Sequence, residues 1–276
     1  MTKPTPAKPF LKWAGGKTRL TKEILRRLPS NIDTYYEPFV GSGAVFFALA
    51  SEGRFRRAAL SDRNSELIDV YRALKRDVDQ VIEELRKYTY DKDVYYEARK
   101  KQPQDLELFA RAARTIYLNK TGFNGLYRVN RSGQFNVPFG RYTNPNFCDE
   151  PRLRAAALAL KKARLYVKDF ESACKDAKPG DAVYFDPPYV PISSTSNFTA
   201  YHQDAFGEAE HQRLAQLFDT LTKRGVPAVL SNSDTPLTRE LYKPWQIDSL
   251  SVLRMINSVT TRRGGVSELL VSNQSD

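Results

Sequence analysis

The sequence predicts an α/β fold: a mostly parallel sheet covered by helices on both faces and interrupted by one helical insertion. Three observations predict it. Short apolar runs alternate with helical stretches at both ends of the chain, the pattern of parallel strands joined by crossover helices. Some of those runs are apolar at nearly every position, as in strands buried on both faces. Between about residues 65 and 151 the strand-like runs stop and helical periodicity takes over.

Element by element, residues 1–8 read as a tail. Thr34–Phe39 is a short aromatic strand that ends in a glycine-rich turn. Ala44–Ser51 is apolar and helical in pattern. Ala58–Asp62 reads as the second strand and Ser65–Lys75 as the helix after it. Inside the insertion, Glu66–Tyr88, Tyr95–Lys101 and Leu106–Lys120 are helical in pattern, and residues rich in Gly, Asn, Arg and aromatics follow up to Phe147. Leu165–Asp169 and Ala182–Asp186 read as buried strands. Glu208–Lys223 is an amphipathic helix with Leu214, Leu217, Phe218 and Leu221 on one face. Val226–Leu230 is another strand. Trp245–Ile256 and Val266–Ser272 predict a final hairpin around Arg262–Gly265, where glycine permits the turn. The expected division is a discontinuous sheet domain, 1–64 and 152–276, with an inserted domain at 65–151.

Composition narrows the function classes. The 276 residues carry 43 Lys+Arg against 32 Asp+Glu, a net charge of +11, and 41% are hydrophobic. That is enough apolar residue for a core. No apolar run approaches the roughly 18 residues of a membrane span, and Met1–Phe10 has no apolar signal core. Two cysteines, Cys148 and Cys174, and two histidines, all scattered, make neither a standard zinc site nor a disulfide framework. The expectation is a reduced cytoplasmic protein without a metal. Its excess positive charge points to an anionic partner, with nucleic acid first.

Two motifs carry chemistry. Glu37-Pro38-Phe39-Val40-Gly41-Ser42-Gly43 leaves a strand and opens a helix. Gly41 and Gly43 allow a sharp turn and close approach of a ligand, and the helix N-terminus offers unpaired N–H groups. Asp62 ends the next strand 19 residues after Gly43, near the offset of an acidic residue that binds ribose hydroxyls. An ordinary strand–helix turn with a capping Asp remains an equal alternative. The third glycine of a dinucleotide fingerprint is missing, so a nucleoside with an amino-acid tail fits at least as well as NAD. The second motif, Asp186-Pro187-Pro188-Tyr189, sits at the carboxyl end of an apolar strand. Two prolines stiffen the turn and remove two N–H donors. The Asp186 carboxylate and Pro187 carbonyl remain as acceptors beside the flat ring of Tyr189, which suits a flat group carrying an amine, such as a nucleobase.

Phe39-Val-Gly-Ser-Gly43 followed by Asp186-Pro-Pro-Tyr189 resembles the amino-methyltransferases that act on DNA. Leu11-Lys-Trp-Ala-Gly-Gly-Lys17 is similar to a further motif of their α-ordered adenine branch, the D12 class. The resemblance runs from about Phe10 to Val271 and includes Thr121-Gly-Phe-Asn-Gly-Leu-Tyr-Arg128, Phe135-Asn-Val-Pro-Phe-Gly-Arg-Tyr142 and Asn197-Phe-Thr-Ala-Tyr201. It implies a Rossmann-like, S-adenosylmethionine-dependent methyltransferase sheet with an inserted DNA-recognition domain. It also implies methylation of adenine in duplex DNA, in GATC, with the base flipped out of the helix. On this resemblance Trp13, Lys17, Phe39, Gly41, Gly43, Asp62 and Asp186 bind the cofactor, and Asp186, Pro187 and Tyr189 serve catalysis. Val190–Tyr201 is expected to close beside the base.

The same resemblance places Lys12, Phe123 and Arg128 on the DNA site, with Asn124, Leu126, Asn136, Arg141 and Tyr142 as further contacts. Phe123 stands where relatives often carry Tyr, which leaves a wedge but no hydroxyl. Read directly, Arg111–Arg141 holds six Lys/Arg (Arg111, Arg114, Lys120, Arg128, Arg131, Arg141) and no Asp or Glu, interleaved with Tyr117, Phe123, Tyr127, Phe135 and Phe139. Basic residues among aromatics suit phosphate contacts with stacking or wedging. A cytosine amino-methyltransferase is the nearest rival, and an inactive DNA-binding regulator the other. Neither cysteine follows a proline, which argues against carbon methylation of cytosine. No obligate protein partner is expected. A housekeeping methylase and one half of a restriction–modification pair fit the sequence equally.

Overall fold

The structure is a computed structural model that describes residues 5–13, 15–17, 20–130, 132–191, 206–252 and 266–274. Seven strands form one sheet in the order β3-β2-β1-β4-β5-β7-β6. They are β1 (Ile32–Glu37), β2 (Phe55–Asp62), β3 (Ala163–Val167), β4 (Ala182–Phe185), β5 (Ala228–Ser233), β6 (Gln246–Val252) and β7 (Val266–Ser272). The first five in chain order run parallel. β7 is antiparallel to both β5 and β6. The expected terminal hairpin therefore forms, but its second strand inserts between β5 and β6. The proposed turn at Arg262–Gly265 lies outside the described residues, as does most of Val190–Tyr201.

Side-chain alternation divides the core in two. Tyr35, Ala182, Tyr184 and Val229 face one cluster. Their neighbours Tyr36, Val183, Phe185, Ala228 and Leu230 face the other. On the first face lie α1 (Thr21–Arg27), α2 (Ala44–Glu52), α3 (Ser65–Arg76), α4 (Val78–Arg86), α5 (Lys92–Lys100), α6 (Leu108–Thr121) and α7 (Glu150–Leu160). α8 (Phe170–Cys174), α9 (Glu208–Lys223) and α10 (Pro236–Tyr242) cover the second. In α9 the buried positions His211, Leu214, Ala215, Phe218 and Leu221 follow the helical repeat. α3 packs on β2 and β3 as well as on α4, α6 and α7, so the apolar core runs without a gap from the sheet into 65–151.

Local chemistry moves several expected boundaries. The helix expected over Glu66–Tyr88 breaks at Asp77, whose backbone is extended and whose carboxylate accepts the N–H groups of Asp79 and Gln80. It is an N-cap, and N-caps start new helices. The strand expected at Leu165–Asp169 ends at Val167 because Asp169 caps α8 by accepting from Ser172 N–H. β5 continues past Leu230 through Ser231, Asn232 and Ser233, all buried. Among the described residues no helix is long and apolar enough to cross a membrane.

Candidate active site

The strand order sets where a ligand can sit. From β1 the chain moves outward to β2 and β3. From β4, the neighbour of β1, it moves the other way to β5. Such a reversal opens a crevice beyond the carboxyl ends of the two central strands. The glycine turn leaves β1 there, and Asp186 leaves β4 beside it. Trp13, Lys17, Glu37, Gly41, Tyr184 and Asp186 bound one cavity at this point.

Gly41 and Gly43 have φ of 45° and 69°, in the left-handed region that L side chains avoid. A Cβ on Gly41 would lie 3.0 Å from Trp13 Cδ1, so the bare backbone is what lets the indole rest on the turn. A Cβ on Gly43 would crowd Phe47 and the Tyr71 hydroxyl, at 3.1 and 3.2 Å. The Tyr71 hydroxyl donates to the Gly41 carbonyl at 2.8 Å. Asp62 accepts Gly41 N–H at 3.2 Å and Asn64 N–H at 2.9 Å. Its carboxylate thus ties the end of β2 to the turn, and burial pushes its pKa up. Phe39 points to the other face of the sheet. It stacks on Phe170 at 5.7 Å and meets Phe206 edge-on at 5.6 Å.

Asp186 is surrounded by polar groups. Lys17 Nζ lies 2.8 Å from Asp186 Oδ1 and 4.5 Å from the centre of the Tyr189 ring. It also donates to the Gly15 carbonyl. Ser231 Oγ donates to the same Asp186 oxygen at 3.2 Å, and the Tyr184 hydroxyl is 2.8 Å from Ser231 Oγ. The Tyr189 hydroxyl donates to Glu268 at 2.9 Å, and Val190 N–H donates to Asn232 at 3.1 Å. The turn is therefore fastened from β5 and β7. Burial raises the pKa of Asp186, Lys17 and Ser231 oppose the rise, and Glu268 adds to it. Glu37 lies deeper. The Tyr35 hydroxyl and Phe46 N–H donate to it at 2.9 and 3.1 Å, yet burial pushes its pKa up to about 8.

Sequence reasoning singled out neither Glu37, Ser231, Asn232 nor Glu268 as site residues. The signal was present. Ser231-Asn232-Ser233 continues an apolar strand with three polar residues, and Glu268 interrupts the apolar run of β7. Buried polar groups in a central strand need partners. For Ser231, Asn232 Oδ1 and Glu268 those partners lie in the Asp186 turn.

The 122–142 segment adjoins this cavity through Lys12 and Trp13. Lys12 Nζ donates to the Tyr142 hydroxyl at 3.3 Å and lies 4.4 Å from that ring. Tyr142 in turn donates to the Gly122 carbonyl at 3.0 Å. Asn124 and Gly125 have φ of 55° and 63°. Phe123 is 49% exposed, a large apolar side chain open to solvent. Asn124 and Arg141 are exposed and Leu126 is half-buried. Arg128 donates from Nε to Asn136 Oδ1 at 2.7 Å and from Nη2 to the Asn136 carbonyl at 3.1 Å, so two of the expected DNA contacts already touch.

The basic run is less uniform than its composition implies. Arg111 pairs with Asp69 at 2.6 Å. Arg114 is buried and donates to the Ala98 and Arg99 carbonyls. Tyr117 and Phe135 are core residues, and Tyr127 and Phe139 are half-buried. The burial of a whole helix explains this: Arg111, Arg114 and Tyr117 lie on α6, whose residues Ala112–Asn119 are all buried. Of the five aromatics only Phe123 is exposed. Arg131 lies outside the described residues. Among them, no cluster of three His, Cys, Asp or Glu could hold a metal ion.

Comparison with known proteins shows the family to which the chain belongs. The sequence model of the D12 class N6 adenine-specific DNA methyltransferases matches residues 13–256. A type II methyltransferase of Methanocaldococcus jannaschii is 41% identical, over 96% of this chain and 99% of its own length. A type II methyltransferase of Lactococcus lactis subsp. cremoris is 39% identical, over 96% and 95%. The DNA adenine methylase of Escherichia coli is 40% identical, over 95% and 93%.

Proposed function

The chain belongs to the D12 class N6 adenine-specific DNA methyltransferases, and on that premise we propose that it methylates the exocyclic amine of adenine in GATC, using S-adenosylmethionine and a flipped base. Residues 1–64 and 152–276 carry the chemistry, and 65–151 carries the reading of sequence. It acts on duplex DNA in the cytoplasm. The observation that carries the proposal is the switch-point cavity, where the Gly41 turn and Asp186 meet on adjacent strands.

The residues fit the cofactor. A Cβ on Gly41 would fill the cradle beside Trp13, and the donor set mixes a ring, bare backbone, the Lys17 cation and the Asp62 carboxylate. Trp13, Lys17, Gly41, Gly43 and Asp62 would hold the cofactor, with Asp186 between it and the base, while Phe39 would back the glycine turn from the other face of the sheet. When bound, it supplies an electrophilic methyl group. The Asp186 carboxylate and Pro187 carbonyl accept the two N–H bonds of the adenine amine and aim its lone pair at that group. Lys17 and Ser231 favour the ionised, accepting form of Asp186 against the cost of burial. Tyr189 offers its ring to the base, and its bond to Glu268 fixes the ring's tilt. No covalent enzyme intermediate is needed, and most of the rate comes from positioning. Burial holds the Cys148 and Cys174 thiols protonated.

Phe123 projects as the wedge that opens the duplex. Arg128 and Lys12 read guanine edges, Asn124, Leu126 and Asn136 add base contacts, and Arg141 and Tyr142 hold phosphate. Methylation-sensitive sequencing of DNA treated with the purified protein tests the reading. N6-methyladenine confined to GATC is expected. A different tetranucleotide removes the site assignment, and methylcytosine or unmodified DNA removes the chemistry.

A further inference from the structure

Lys12 and Trp13 are consecutive, yet each is held by a separate device from the insertion. Asn119 lies on α6 with no exposed surface. Its Oδ1 accepts Lys12 N–H at 2.8 Å, and its Nδ2 donates to the Lys12 carbonyl at 2.6 Å and to the Gly125 carbonyl at 3.1 Å. One buried amide thus sews the first motif to the turn that carries Phe123 and Asn124. The Lys12 stem fills the space Gly125 leaves, since a Cβ there would lie 2.2 Å from Lys12 Cδ. Trp13 is gripped from two sides. On one is the backbone of Gly41. On the other is the ring of Tyr127, 5.0 Å away and tilted by 28°. The Tyr127 hydroxyl donates to Glu66 at 3.1 Å, and Thr115 donates to the other oxygen of that carboxylate at 3.3 Å. The residue after Tyr127 is Arg128.

We propose that Asn119 and Tyr127 are positioning residues that couple occupation of the cofactor cavity to reading of the DNA sequence, through Lys12 and Trp13. The proposal rests on the function given above. A ligand bearing on the glycine turn meets Trp13 directly. Close packing passes a displacement of that ring to Tyr127 and to the adjoining Arg128. Asn119 keeps Lys12 and the Gly125 turn in one register while this happens. Coupling of this kind is reciprocal: whatever factor the cofactor adds to cognate DNA affinity, cognate DNA adds to cofactor affinity.

The test is a linkage measurement. Fluorescence anisotropy gives the affinity for a GATC duplex and for a duplex with one substituted pair, at fixed salt, with and without saturating S-adenosylhomocysteine. In the wild type, S-adenosylhomocysteine is expected to tighten the GATC duplex about tenfold more than the substituted one. Tyr127→Leu and Asn119→Ala should each bring that factor below about threefold, while Tyr127→Phe, which keeps the ring, retains it. A merely structural role would weaken all affinities together and leave the factor unchanged. A folded Tyr127→Leu with the full wild-type factor overturns the proposal. If Tyr127→Leu does not fold, Asn119→Ala decides, by the same criterion. Methyl transfer to both duplexes is measured alongside. A wild type that methylates GATC without any coupling removes this proposal alone. One that methylates neither duplex removes the functional reading beneath it and the proposal with it.

Discussion

The glycine turn at 41–43 and the segment at 122–142 both use left-handed backbone, but they are anchored in opposite ways. The first is held by a carboxylate from β2 and a phenol from α3, Asp62 and Tyr71, and its polar groups converge inward on a cavity. Among its described residues the second has isolated bridges, Gly122 to Phe139 and Val129 to Phe135, and no strand. Part of its backbone is satisfied within the segment, as where Phe123 N–H donates to the Pro138 carbonyl at 2.9 Å and Asn136 N–H to the Arg128 carbonyl at 3.0 Å, and part by side chains from α5 and the loop before it. Tyr95 donates to the Val137 carbonyl at 3.0 Å, and Tyr90 donates to the Gly140 carbonyl at 2.7 Å and accepts Tyr142 N–H at 2.8 Å. The phenols of Tyr90 and Tyr95, with Asn119, supplement these bonds where no regular strand ladder runs. This frees Phe123, Asn124, Arg128 and Arg141 to face outward. One region builds chemistry toward the interior, and the other builds a reading surface toward solvent.

Four substitutions can break or sharpen that contrast. Asp186→Ala should have the largest effect, lowering methyl transfer by roughly 10²–10³-fold or more, while circular dichroism and duplex affinity stay near wild type. Rapid turnover by the folded variant would place the chemistry elsewhere. Gly125→Ala should cost about 1–3 kcal/mol in urea unfolding, since φ is 63° and the new Cβ meets the Lys12 stem. It should lower GATC preference more than cofactor affinity, and equal loss of both would merge the two regions.

Glu37→Gln separates them by pH. The folded pKa of Glu37 is raised from 4.5 to about 8. Its contribution to stability is therefore full below about pH 4.5 and is lost as pH rises toward about 8, because the unfolded chain ionises first. Gln stays neutral throughout. The Tm of Glu37→Gln relative to wild type should climb across that window and level off above it. A constant difference would mean that Glu37 is ionised in the native protein. Arg141→Ala should have the smallest effect, a few-fold weaker binding to all sequences alike, with the salt slope reduced by about 1. A selective loss on GATC would make Arg141 a base contact.

The sequence made the catalytic half legible because its constraints are local. Gly41 and Gly43 mark a backbone that only glycine adopts easily, and Asp186-Pro187-Pro188-Tyr189 marks the exit of an apolar strand. The crossover pattern likewise set the sheet and most of α9 and α3. What it did not reveal was long-range. Insertion of β7 between β5 and β6 depends on pairing across the sheet. The partners Ser231 and Glu268 come from strands 45 or more residues from Asp186 in sequence. Composition also misled within 111–141, because it cannot tell the buried face of α6 from the exposed turn beyond it. Arg114 and Arg128 look alike in a list of cations, yet one is a core donor and the other is exposed.

Turnover on GATC and on single-substituted duplexes, for the wild type and Arg128→Ala at fixed salt, tests the division of labour most directly. Arg128→Ala should still methylate adenine, with the preference for GATC lowered by about one to two orders of magnitude. Undiminished preference would contradict it, making Arg128 a backbone contact and moving sequence reading out of the 122–142 turn.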